Sequence, residues 1–115
     1  MARSVSVIPV TIASGQSLSG VGDLRGYQLV GISFPAGWTA ADVTLQTAAD
    51  PDDTYLNVFY GTTELTIDAA QDQHTVIDPD STAGLGSYVK VRSGPSSAAV
   101  NQAADRIIKL IAIAD

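Results

Sequence analysis

Residues 43–48, Val-Thr-Leu-Gln-Thr-Ala, alternate side chains with a period of two, and turn chemistry closes both ends of the run. That period fits a strand with one face on a core, Val43, Leu45 and Thr47 on one side and Thr44, Gln46 and Ala48 on the other. Upstream, Pro35-Ala36-Gly37 forms a corner. Downstream, Asp50-Pro51-Asp52-Asp53 reverses the chain, because proline fixes φ and aspartate bonds its own backbone. The surrounding stretch 31–60 holds the only Trp, both Phe and two of the four Tyr, so it is expected to carry most of the aromatic core.

The remaining runs read the same way. Residues 5–12 are β-branched, with Ile8, Val10 and Ile12 on one face; Pro9 cannot donate to a ladder, which predicts an edge strand, bulged at that point. Residues 13–26 are rich in Gly and Ser and predict a long ordered connection held by Leu18, Val21 and Leu24. Residues 27–33 are apolar on both faces and predict a central strand. Further strands are expected at 54–60, 64–68, 74–78, 87–93 and 106–114, with Glu64 and Arg92 pointing outward. The last run, Arg-Ile-Ile-Lys-Leu-Ile-Ala-Ile-Ala, contains Ala, Leu and Lys, but four Ile in nine residues favour a strand. The expectation is one domain over residues 1–115: all-β, an antiparallel β-sandwich of about eight strands, jelly-roll or galactose-binding-like.

Composition limits the partners. With net charge −6 and pI near 4.3 there is no basic patch to neutralise phosphates, which argues against nucleic acid. No apolar run approaches the ~18 residues of a membrane span. The first ten residues lack the apolar segment of a signal peptide, so no standard leader is expected and the chain reads as complete from Met1. Absence of Cys removes disulfides, thiolate zinc sites and a Cys nucleophile. Only 16% of residues are charged, against ~25% in ordinary soluble domains. Such a surface suits a protein whose faces are covered by neighbours, and also a secreted β-domain.

Candidate sites are few. Trp38 on its corner is either a sugar-stacking platform or a plug whose indole N–H bonds a loop carbonyl; Ala36, Ala40 and Ala41 offer a sugar no hydrogen bonds, which favours the plug. Tyr55 and Tyr60 are the other possible glycan contacts. The Asp-Pro pairs at 50–53 and 78–80 carry calcium-type oxygens, but they lack a recognised loop spacing and serve tight turns locally. His74, the only His, reads as a surface residue, with no serine in a nucleophile-elbow context. No catalytic residue, metal or cofactor is expected. The closing strand is more informative. If Ile108, Leu110 and Ala112 face the core, then Ile107, Ile111 and Ile113 share the other face with Lys109, a surface that needs a cover. Val5 and Val7 pose the same question at the other terminus, and the five form the expected partner interface.

Four blocks carry a resemblance: the Asp23-Leu24 turn, the Phe34-Pro35-Ala36-Gly37-Trp38-Thr39 corner, the Tyr88-Val89-Lys90-Val91-Arg92-Ser93-Gly94 strand and the Asn101-Gln102-Ala103-Ala104-Asp105-Arg106 turn. Over residues 10–113 the chain is similar to a family of small virion structural proteins of tailed bacteriophages and prophages. Members often show Ser-x-Asp-Gly before the aromatic strand, where this chain has Ala49-Asp50-Pro51-Asp52-Asp53. The resemblance implies a non-enzymatic particle component, made in the bacterial cytoplasm and located in the virion. It is expected to act as a capsid decoration or cement protein that docks on the major capsid protein or neighbouring subunits as a homo-oligomer. The alternative is a module that binds host surface glycans.

Overall fold

A computed structural model describes residues 3–114. The strands, in chain order, are β1 (Ser4–Ile12), β2 (Gly22–Asp23), β3 (Gln28–Ser33), β4 (Val43–Ala48), β5 (Leu56–Asn57), β6 (Phe59–Tyr60), β7 (Thr63–Glu64), β8 (Thr66–Ile67), β9 (His74–Val76), β10 (Tyr88–Ser93) and β11 (Arg106–Ala114). A single helical turn, α1 (Pro79–Thr82), starts with proline and is capped by Asp78, whose Oδ1 accepts from the Asp80 N–H.

Two antiparallel sheets face each other, ordered β1-β11-β3-β9 and β2-β10-β4-β5, with β8 also on β4. The pairs are nested. When β5 to β8 are counted as one arm, the first strand pairs the last, the second the seventh, the third the sixth and the fourth the fifth. A long hairpin folded over on itself in this way is a jelly roll. Strands outnumber the eight expected because 54–60 and 64–68 each break in two and 13–26 contains β2.

The core lies between the sheets. Ile12, Leu29, Ile32, Ile108 and Leu110 come from the first sheet, Val43, Leu45, Val89 and Val91 from the second, all fully buried. Phe34 and Trp38 close one end with ring centroids 5.2 Å apart. Trp38 Nε1 donates to the Ala41 carbonyl at 3.0 Å.

Several expectations need correction. The β1–β11 register runs straight through Pro9, opposite Lys109, so the missing N–H belongs on the open edge and needs no bulge. The irregularity lies instead between β11 and β3, where Ile111 pairs Gly31, Ala112 pairs Leu29 and Val30 is the extra residue. That insertion turns Leu29 and Ile32 to the same face although they are three apart. Val21 is exposed, and the inward position next to it belongs to Gly22, whose added Cβ would lie 3.0 Å from Leu110 Cδ1. The aromatic core is smaller than expected, since Phe59 and Tyr60 are exposed on a β6–β7 hairpin that pairs only with itself.

Arg92 does point outward from the second sheet, yet it is 6% exposed. Its guanidinium donates to Thr44 Oγ1 (2.9 Å), Asn57 Oδ1 (2.9 Å) and Glu64 Oε2 (3.3 Å). Glu64 is correspondingly turned onto that sheet, and its other oxygen accepts from the Ser96 N–H. The excursion from β5 to β8 therefore covers Thr44 and Arg92 on a face that alternation alone assigns to water.

Candidate functional site

Cross-strand register fixes which residues share the outer face of the first sheet. One row runs Val7, Ile111, Gly31, Val76 across all four strands. The next runs Pro9, Lys109, Ser33, His74, and Val5 opposite Ile113 and Thr11 opposite Ile107 complete the face. All five expected interface residues lie on this one face. Val5 and Val7 are each 55% exposed and Ile107 56%, while Ile111 and Ile113 are half-buried. The sequence reading missed Val76, the most open of them at 78%, because a three-residue strand shows no alternation to read.

The row containing Gly31 has a gap in the middle. The His74 imidazole lies over it, and a Cβ on Gly31 would come within 3.0 Å of the ring. Ser33 Oγ and His74 Nδ1 are 2.6 Å apart. Among the described residues no carboxylate bonds this ring, and the Phe34 N–H beside Ser33 is spent on the Gln73 carbonyl. A nucleophile would have neither a relay partner for its base nor that amide as an oxyanion donor. The pair fixes the ring on the sheet.

The sheet is also distinct in charge. The chain has twelve Asp and Glu, yet none of the four strands of the first sheet contains one. The outer face carries Lys109, opposite Pro9 and Ser33; at its β9 edge Val76 borders a groove that Asp68 and Asp78 also line. Asp23, which lines a groove along the open edge of β1, is already paired with Arg25 at 2.8 Å. The Arg25 hydrogen bond holds the Asp23 carboxyl below its ordinary range.

The other sequence candidates disperse. Trp38 is 6% exposed with its N–H committed, so it has no free face for a sugar. Tyr55 donates its hydroxyl to the Pro51 carbonyl, and Lys90 Nζ sits 4.4 Å from its ring centroid. Tyr60 stands open on the β6–β7 hairpin. The Asp-Pro segments act locally: Asp53 N–H donates to the Asp50 carbonyl, and Asp78 caps α1. No group of three potential metal ligands converges among the described residues.

Gln102 is a structural residue that the sequence did not reveal. It is fully buried; Oε1 accepts from Thr39 N–H and Arg106 Nε, and Nε2 donates to the Thr39 carbonyl and Ser93 Oγ. Three of the four blocks behind the sequence resemblance meet at this side chain. They share one buried hydrogen-bond network.

Comparison of the chain with protein-family models, with curated proteins and with solved structures gives no match.

Proposed function

We propose that this protein is a non-enzymatic structural subunit of a tailed-phage particle, a capsid decoration or cement type, docking through the outer face of the β1-β11-β3-β9 sheet. One observation carries the docking: Val5, Val7, Ile107, Ile111 and Ile113 lie together on that face, three of them more than half exposed. Covering each open side chain is worth on the order of 1 kcal/mol, and a docked surface of ~800 Å² per partner accommodates all five. The assignment to a phage particle rests on the sequence resemblance. Jelly rolls serve capsid and lectin domains alike, so the fold does not choose between them. The glycan-binding alternative has lost Trp38 to the core and keeps only Tyr55 and Tyr60.

Mass spectrometry of purified particles tests the assignment. The protein is expected in stoichiometric amounts, and particles lacking it sink the reading. Reconstitution with Val7→Glu then tests the face, because the variant should fold normally and fail to bind. Unchanged titrations of the wild-type chain with host polysaccharide would dispose of the alternative.

A further inference from the structure

β1 is an open edge of the first sheet and, among the described residues, the only edge strand longer than three residues. Two observations fix which of its backbone groups point outward. The Thr11 carbonyl accepts from the Gly20 N–H at 3.2 Å, so it points away from β11. Pro9, two residues back, has no N–H and yet sits in an unbroken register. In an antiparallel ladder, residues two apart aim their N–H and C=O to the same side, so Val7 and Val5 point outward too. Among the described residues nothing bonds the N–H or C=O of either valine on that side. A groove of about 630 Å³ runs along this edge, between residues 6–9 and the paired Asp23 and Arg25 with Tyr27. Pro9 and Gly20 blunt the edge from residue 9 onward, but no proline or charged side chain guards residues 4–8.

From this pattern we infer that the chain forms a two-fold dimer, in which the β1 edges of two copies pair antiparallel about Ser6. In that register Val5 lies opposite Val7 of the second copy, and each such pair exchanges both of its N–H···O=C bonds. No outward group of either valine is left over. Centring the pairing on Val7 would set each Val5 carbonyl against Pro9, which has no N–H to give, and centring it on Val5 would overlap only Ser4–Ser6. The other edges of this chain are poorer occupants, because β2, β5, β8 and β9 offer two or three residues each. A free peptide must first be ordered, whereas a second β1 arrives already extended on its own sheet. The side chains agree with this choice. On the core side Ile8 is half-buried and meets Ser4 of the second copy, a small residue that a groove walled by Asp23 and Arg25 admits. On the outer face the Ile111–Val7 row of one copy runs on into the Val5–Ile113 row of the other. The contact is isologous, so it closes at two copies. It is made by backbone groups and is independent of the particle reading above.

Proline tests the edge itself. Val7→Pro removes an outward N–H and keeps the ladder with β11, as Pro9 already does, and circular dichroism checks the fold. Sedimentation velocity of the wild type should show a monomer–dimer equilibrium that stops at two copies. Val7→Pro should dimerise at least about tenfold more weakly, a change of about 1.4 kcal/mol. Because the chain has no Cys, a single introduced thiol reports the register. Facing residues at a non-hydrogen-bonded position have Cα atoms about 4.5 Å apart, within disulfide reach. Ser6→Cys should therefore cross-link to a dimer under mild oxidation, and Ser4→Cys, which falls opposite Ile8, should not. Amide exchange at Val5 and Val7 should slow as protein concentration rises. A wild type that stays monomeric, a Val7→Pro variant that dimerises as tightly, or cross-linking as fast at Ser4→Cys as at Ser6→Cys overturns the inference. Should Val7→Pro fail to fold, the two thiol variants and the exchange of the wild type decide it: valine amides that exchange alike at all concentrations overturn it.

Discussion

Arg92 Nη2 lies 3.3 Å from Glu64 Oε2 beneath the β6–β7 hairpin, and both side chains are largely shielded from water. Arg92 arrives from the outward side of β10, and Glu64 from the β6–β7 hairpin turned onto that side. Removing one partner leaves a buried charge unpaired, at a cost of about 3 kcal/mol. Glu64→Gln should lower the urea midpoint accordingly, and a double-mutant cycle with Arg92→Met should recover much of that loss. Additive single effects would mean the pair is not coupled.

The same pair sets an acid dependence. Burial pushes the Glu64 carboxyl up, but hydrogen bonding from Ser96 and the charge of Arg92 outweigh it and hold the group below its ordinary 4.5. A carboxyl with a depressed native pKa binds fewer protons when folded, so stability rises with pH across that interval. Its contribution is complete above the unfolded value and disappears as pH falls through the lower native one. Denaturant midpoints of wild type and Glu64→Gln should therefore differ at neutral pH and converge in acid. A gap that stays constant with pH contradicts this.

Gln102 makes four hydrogen bonds from a fully buried position. Gln102→Leu orphans the Thr39 N–H and carbonyl together, and it should cost about 2 kcal/mol or more. Amide exchange at Thr39 should quicken far more than at β4. Equal protection in the variant would show that water replaces the side chain.

Trp38→Ala opens a cavity against Phe34 and frees the Ala41 carbonyl, and a loss of about 3–5 kcal/mol is expected from thermal unfolding. A substitution costing less than ~1 kcal/mol would place the indole outside the core.

Val7→Glu changes an exposed site and should shift stability by no more than about 0.5 kcal/mol. Val10→Glu, three residues along the same strand and 4% exposed, should unfold the domain. Comparable effects of the two would mean that the outer face is already covered in the isolated chain.

Strand identity and facing were legible wherever runs were long. Residues 106–114 alternate over nine positions, and the register with β1 places Ile107, Ile111 and Ile113 on the outer face as the alternation requires. The stretch 54–60 misled because Tyr, Leu, Val and Phe favour strands whether or not a core receives them. It breaks into β5 and β6, and its Leu56, Phe59 and Tyr60 side chains stay exposed. His74 read as a surface residue and is one, but its fit over Gly31 depends on two strands that meet forty-one residues apart in the chain.

Local chemistry determined this protein's strands, its turns and the sidedness of its longest ladders, because alternation, proline and aspartate act over a few neighbouring residues. Tertiary structure decided what covers each face. The hairpin that buries Arg92 with Glu64, the nested pairing that makes the sandwich a jelly roll and the meeting of Thr39, Ser93 and Gln102 all join segments distant along the chain. Alternation in one strand records which way a side chain points, and it holds no information about whether water, a hairpin or another subunit lies on that side.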